Sequence, residues 1–309
     1  MKNILVAFNA LPYYWSKHYW KRNLTKIIST FLSIFGILWL FIETANHFNI
    51  KIAIPDTTPF SYSMLLLCAL LLAVIYNIPK LTHEVEIADT DIKIELIVAN
   101  YLNLPGDKVI ATNSTYDTTF ENNFISPKSI QGQFFKKFYK NLSHLDNDLE
   151  KSLENETPIL VLDRTKSKTK QFNIGTVAKV QNEEFMSYWL AMADVNEFGK
   201  PNSNFENLQI SLIRLWEFIA TKGHLENLVI PILGSGRTGI NEKRERILQE
   251  IIFSFVAFAT EKKLTEKLTI AIHPKDILKH NMNFYELCTF LEHTCKHKSS
   301  KNFGRSQEI

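Results

Sequence analysis

The apolar run Leu228-Val229-Ile230-Pro231-Ile232-Leu233 leads straight into Gly234-Ser235-Gly236-Arg237-Thr238-Gly239-Ile240. This pattern predicts a buried strand, a glycine-rich turn and then a helix. Small residues let backbone N–H groups approach a phosphate closely, and a helix N-terminus adds partial positive charge. Arg237 offers a further charge-assisted contact. The spacing also spells GxGxxG, a pattern shared with ordinary tight turns. In Rossmann dinucleotide sites that pattern follows the first strand of a βαβ unit. Here it comes late, and Glu261 falls at the end of a helix rather than at the tip of a second strand, which argues against a nicotinamide-dinucleotide site.

Two other segments carry chemistry. Val109-Ile110-Ala111-Thr112-Asn113-Ser114 is a buried strand that ends in polar residues, the edge at which α/β sheets hold ligands. Asn113 offers a donor and an acceptor to a ribose hydroxyl, although an Asn there also serves as a turn or cap residue. Ile125-Ser126-Pro127-Lys128-Ser129-Ile130-Gln131-Gly132-Gln133 opens a helix, with Ser126 as cap and Pro127 at the first position. Lys128 would stand beside that N-terminus as an anion contact, and a purely structural cap explains the segment equally well. No HxxH, CxxC or GKS/T signature is present, and no Cys/His or Ser/His/Asp pairing offers a nucleophile. The residues therefore predict a binding site with no catalytic residue, no metal and no cofactor.

The elements that must position these residues follow from periodicity. Strands are expected at His83–Ala88, Asp91–Val98, Lys108–Ala111, Pro158–Leu162, Gly175–Val180, Phe185–Ala191, Leu228–Leu233 and Leu268–Ile272. Helices are expected from Ser126, over Leu142–Leu153, over Asn202–Lys222 closed by Gly223, and after Asn241 as cap. A β-rich start followed by alternating α and β predicts a three-layer α/β/α domain with a mixed sheet. Arg164, Lys166, Lys168 and Lys170 alternate between two strands and read as a solvated hairpin tip, with contact to anionic lipid headgroups as the functional alternative.

Upstream of this domain lie two apolar runs, Leu24–Thr44 and Ser61–Ile78. Each is about long enough to cross a hydrocarbon core of roughly 30 Å. The expected organisation is an N-terminal segment (1–23), a two-helix transmembrane hairpin (24–80), a ligand-binding domain (81–293) and a basic, disordered tail (294–309). Lys17, Lys21, Arg22 and Lys26 precede the first run and Lys80 follows the second, whereas Lys51 in the loop is balanced by Asp56. Positive charge on both outer flanks places the N-terminus and the domain in the cytoplasm. Trp15, Tyr19, Trp20 and Tyr76 fit interfacial positions. Ser29, Ser33 and Gly36, with Ala69 and Ala73, predict close helix approach, within the hairpin or between copies. The 35 basic and 32 acidic residues give a net charge of +3, which makes no case for a nucleic-acid partner. The three cysteines form no disulfide framework and suit a reducing compartment.

Taken in order, these segments resemble the macro domain, the ADP-ribose-binding α/β/α fold. The stretches 111–120, 125–134, 172–180, 207–219, 228–240 and 270–274, preceded by two apolar runs, look like the membrane-anchored, macro-domain effectors of type II Thoeris antiviral systems. The resemblance implies that Asn113 meets the distal ribose and that residues 234–240 wrap the diphosphate. It implies Asn100 at the adenine contact, where the family commonly has Asp. It further implies an ADP-ribose-type signal, histidine-ADP-ribose, made by a TIR-domain partner. The expected outcome is self-assembly and disruption of the bacterial inner membrane, with arrest or death of the infected cell. A membrane-tethered hydrolase of ADP-ribose derivatives is the alternative. Macro-domain hydrolases use two Asn at the first strand's end and a glycine triplet in the next loop. Ile110 and Ser126-Pro127-Lys128 stand at those places here.

Overall fold

The computed structural model describes residues 17–48, 59–78, 81–121, 124–164, 167–196, 201–234 and 240–296. The chain divides into two compact units, Met1–Lys80 and Leu81–Ile309.

The first unit holds helices α1 (Lys17–His47) and α2 (Pro59–Tyr76). They run antiparallel. Near one end the Asn77 amide donates to the Thr30 hydroxyl at 3.1 Å, and near the other the Trp39 and Tyr62 rings lie 5.8 Å apart. Ala69 and Ala73 are fully buried, so the small residues of α2 serve helix contact within the pair. Ser29, Ser33 and Gly36 of α1 are exposed and take no part in it. Within α1, Asn23–Ala45 is long and apolar enough to cross a membrane. The apolar stretch of α2, Tyr62–Tyr76, falls short of that length, so among the described residues a single helix meets the span criterion rather than two. Trp15, Lys51, Asp56 and Lys80, and the side chains of Lys17, Tyr19, Trp20 and Arg22, lie outside the described residues.

The second unit is built on a mixed sheet. Strands β1 (Thr82–Glu86), β2 (Lys93–Val98), β3 (Asp107–Asn113), β6 (Val177–Gln181), β7 (Met186–Val195), β9 (Leu228–Pro231) and β10 (Lys267–Ile272) stand in the order β1-β2-β10-β9-β3-β7-β6. The five from β2 to β7 are parallel, and β1 and β6 pair antiparallel at the edges. The short strand β8 (Pro201–Asn202) pairs with the end of β7. Strands β4 (Leu160–Val161) and β5 (Lys170–Gln171) form a separate antiparallel ribbon. The central strands carry near-continuous apolar runs because helices cover both faces. Consecutive residues of β7 demonstrate this. Trp189 packs on Phe134 and Phe135 of α3 (Ile130–Phe138), whereas Tyr188 meets Phe218 of α5 (Phe205–Lys222). Helix α4 (Leu142–Ser152) joins α3 in the first layer through Leu145 and Leu149. Helix α6 (Arg244–Ala259) joins α5, where Trp216 of α5 stacks edge-on against Phe255 and donates to Ser254 at 3.0 Å.

Several boundaries differ from the sequence reading. Helix α3 begins at Ile130, not at Ser126, because Ser129 is the cap and accepts from Gly132 N. Ser126-Pro127-Lys128 forms a turn before it, closed by Ser129 N donating to Ser126 O at 3.0 Å. Asn241 does not cap α6. That helix starts after Lys243, whose side chain makes no capping bond. Two helices close the domain beyond β10, α7 (Pro274–Lys279) and α8 (Phe284–Lys296). Neither was expected. The tail beyond 296 lies outside the described residues.

Candidate functional site

From β3 the chain moves outward to β7 and later returns to β9 on the other side of β3. The strand order thus reverses between β3 and β9, the place where open α/β sheets bind ligands at their carboxyl ends. The two strands pair only at Asp107↔Leu228 and Lys108↔Val229, their amino ends. Beyond that register they carry no ladder to one another. A cavity of about 470 Å³ opens there. Its walls include Asn113 at the end of β3, Gly234 after β9, His273 after β10 and Asn100 after β2.

Asn113 is buried and already ordered. Its amide nitrogen donates to Asp117 Oδ2 at 2.8 Å, and its carbonyl oxygen accepts from Asp117 N at 3.0 Å. Thr115 Oγ1 also lies within hydrogen-bond distance of that carbonyl oxygen, at 3.3 Å. An asparagine has two amide hydrogens, so one stays uncommitted and can be donated to a sugar hydroxyl. Asp117 itself is held by Thr115 Oγ1 at 2.8 Å, by Ser167 Oγ, and by Arg164 Nη1 at 3.3 Å. The side chains of Arg164 and Asp117 are 2% and 0% exposed. Arg164 is therefore a buried strut under the site and not part of a solvated tip. Its Nη2 also donates to Asn196 O. Lys168 pairs with Asp146 at 2.7 Å. Lys166 lies outside the described residues.

Gly234 adopts φ +66°, a left-handed conformation, and a Cβ there would stand 2.2 Å from Ile240 Cδ1. Glycine is required on both counts. Ile240 is buried against it. Ser235, Gly236, Arg237, Thr238 and Gly239, which the sequence assigns to the diphosphate, lie outside the described residues. Asn100 accepts from Leu102 N at 3.1 Å, capping the 3-10 turn Tyr101–Asn103 at the cavity edge. Lys128 is exposed on the turn before α3 and also lines the cavity.

Sequence reasoning missed the opposite wall. Arg244 opens α6, and His273, Lys275, Asp276, Lys279 and His280 come from the unexpected helix α7 and its flanks. Asp276 is the lone carboxylate among the cavity's described walls, and it pairs with Arg244 at 3.1 Å. Burial pushes His273 below its ordinary pKa, with Lys275 and Arg244 acting the same way against the pull of Asp276. Burial and Arg244 lower His280 likewise. Both imidazoles therefore stay neutral near pH 7, and the fixed charge of this wall comes from Arg244 and the lysines. The missed signal was a β10 strand followed by His-Pro, with Lys275 and Lys279 one helical turn apart. Gln131 of α3 completes the floor, donating to Thr112 Oγ1 at 3.1 Å and to Asp117 O at 3.0 Å. Among the described residues no group of His, Cys, Asp or Glu could hold a metal ion.

A family model described as "Thoeris protein ThsA, Macro domain" matches residues 94–273, more than half of the chain. A Thoeris protein ThsA of Bacillus amyloliquefaciens (strain Y2) is 26% identical over 220 residues, covering 67% of each chain. Among solved structures, a macrodomain of Oceanobacillus iheyensis with MES bound aligns with TM-score 0.48 at 11% identity, over 69% of this chain and 98% of its own. A Trypanosoma brucei macrodomain in complex with ADP-ribose aligns with TM-score 0.42 at 11% identity, over 63% and 68%.

Proposed function

The chain belongs to the Thoeris ThsA family through its macro domain, and on that premise we propose that it is a membrane effector of bacterial anti-phage defence gated by a nucleotide signal. The observation that carries this reading is the cavity at the β3/β9 reversal, where a pre-ordered Asn113 faces a Gly234 turn and a cationic wall. An ADP-ribose-type ligand has the matching parts: a distal ribose for Asn113, a diphosphate for residues 234–240, and an adenosine lying toward Asn100. In this proposal the signal is histidine-ADP-ribose, supplied by a TIR-domain partner. The α1–α2 pair embeds in the inner membrane as a hairpin, with the N-terminus and the macro domain on the cytoplasmic side. Ligand binding promotes self-association, and the assembled helices disrupt the bilayer, arresting or killing the infected cell.

The protein acts here by binding and not by turnover. Support comes from Asn113, whose amide is engaged by Asp117, and from the Ser126-Pro127-Lys128 turn, which puts a proline and a lysine where hydrolases of the fold carry glycines.

The test is calorimetric titration of the detergent-solubilised full chain with ADP-ribose and with histidine-ADP-ribose. Heat of binding and a rise in melting temperature are expected, with intact ligand recovered by chromatography and a higher mass by light scattering. Absence of both heat and thermal shift would sink the binding proposal. Conversion of the ligand would replace the effector reading with the hydrolase one, and an unchanged mass would remove the assembly step.

A further inference from the structure

The cavity wall that follows β2 has a fixed polarity. Asn100 stands there, and β2 and β3 are three strand spacings apart, about 14 Å. A ligand whose distal ribose meets Asn113 and whose diphosphate crosses the Gly234 turn delivers its base to Asn100. Asn100 Oδ1 accepts from Leu102 N at 3.1 Å and is spent on capping the turn Tyr101–Asn103. Turning the amide over would set its NH2 group against the Leu102 N–H, donor to donor, so the backbone dictates the orientation. Nδ2 makes no hydrogen bond among the described residues, and it is the group that remains for a ligand. The carbonyls of the turn are committed as well. Asn100 O accepts from Asn103 N at 3.0 Å and Tyr101 O from Leu104 N at 3.3 Å. Leu102 O accepts from Lys137 Nζ at 2.7 Å and Leu104 O from Lys108 Nζ at 2.6 Å. Asp276, the lone carboxylate among the cavity's described walls, is drawn to Arg244 at the start of α6, the helix that follows β9. The turn after β2 thus presents a donor to the base, with these acceptors already engaged.

We infer that Asn100 sets the base specificity of the site by donating from Nδ2, so that the base is read through an acceptor atom and not through an exocyclic amine. This rests on the ADP-ribose reading above. It concerns only the adenosine end of the ligand, so it holds for histidine-ADP-ribose as well. Adenine offers ring nitrogens as acceptors, and hypoxanthine offers its O6 in place of the amine. A carboxylate at this position would instead accept from the amine and repel the O6 carbonyl. The ligand class is thereby the purine diphosphate riboses, with no demand for a 6-amino group.

The experiment titrates the detergent-solubilised full chain with two probes, ADP-ribose and its hypoxanthine counterpart, inosine diphosphate ribose. Affinities within about threefold of each other, or a preference for the hypoxanthine probe, are expected. The Asn100→Asp chain is expected to prefer ADP-ribose by about tenfold, since the amine gains an acceptor and the O6 contact becomes repulsive. Its carboxylate still accepts from Leu102 N, so its melting temperature should match that of the unsubstituted chain. The added negative charge weakens both probes alike, and the ratio between them removes that effect. A preference of the unsubstituted chain for ADP-ribose of more than about threefold overturns the inference and leaves the ADP-ribose reading standing, whether or not the variant folds. An unchanged ratio in Asn100→Asp removes the assignment to Asn100. Failure of the unsubstituted chain to bind either probe sinks the parent reading instead.

Discussion

Asn113 is fixed by Asp117 before any ligand arrives, and Asp117 is fixed by Arg164, 47 residues away in sequence. The functional Asn was legible because a polar residue at the end of an apolar strand is a local pattern. Its support was not, because a buried ion pair between distant segments leaves no periodic trace. Arg164 alternates with three lysines and so looked solvated, yet it turns inward. Removing one partner of such a buried pair strands the other charge, at a cost of about 3–5 kcal/mol. Asp117→Ala is therefore expected to lower the free energy of unfolding by that margin, seen as a lower urea midpoint, and to weaken ligand binding, read by denaturation and titration on the same sample. Lys108 is a second buried cation, 1% exposed on β3. Its Nζ donates to Leu104 O at 2.6 Å and lies 4.9 Å from the centre of the Phe185 ring. Burial, reinforced by Lys137, lowers its pKa from 10.5 to about 8. Between those values the unfolded chain binds more protons than the folded one, so this group makes stability rise with pH from 8 toward 10.5. Lys108→Met is expected to abolish that contribution. The difference between the two stability curves isolates it, cancelling Cys295, which burial raises to about 12 and which acts in the opposite sense above its ordinary value. A difference curve that is flat from pH 8 to 10 would refute it.

At the scale of elements, the apolar strands and the helices with clear stripes fell close to their expected places. Sequence patterns failed where tertiary contact decides. Strands β5 and β8 are two residues long and exist only through their partners. Helix α7 is six residues long, capped by His273 accepting from Lys275 N at 3.2 Å, and too short for a hydrophobic period to register. Helix α3 starts three residues after its expected proline because Ser129, not Ser126, captures the first free N–H. Gly132 then lies tight against the preceding turn, where a Cβ would come 2.2 Å from Ser126 O. Gly132→Ala must push that backbone away, an overpacking cost of about 1–3 kcal/mol despite alanine's better helix propensity. The variant is expected to unfold at lower urea and to bind ligand more weakly, since Ser126 and Lys128 line the cavity. A stabilised variant with unchanged affinity would contradict this.

At the scale of the molecule, the amphipathic logic of the second unit and the unbroken apolarity of the first were both visible in composition. The length criterion was less generous than the sequence reading: α1 passes it and α2 does not. Two antiparallel apolar helices with most of α1 exposed still leave a large surface that water does not favour. Deletion of residues 1–80 is expected to move the chain from the carbonate-resistant membrane pellet to the soluble fraction, with ligand affinity unchanged because every described cavity wall belongs to 81–309. Retention of the truncated chain in the pellet would show that the anchor lies elsewhere.

The scant pairing between β3 and β9 has a mechanical meaning. Two residue pairs join one half of the sheet (β1, β2, β10, β9) to the other (β3, β7, β6). Every other neighbouring pair along the seven-strand order shares at least four. The domain is thus a clasp closed at one end and open at the other. A nucleotide seated between Asn113 and the Gly234 turn would act as its pin, turning two separately sprung plates into one stiff body. Occupancy would then be registered as rigidity across the seam, with no large displacement required.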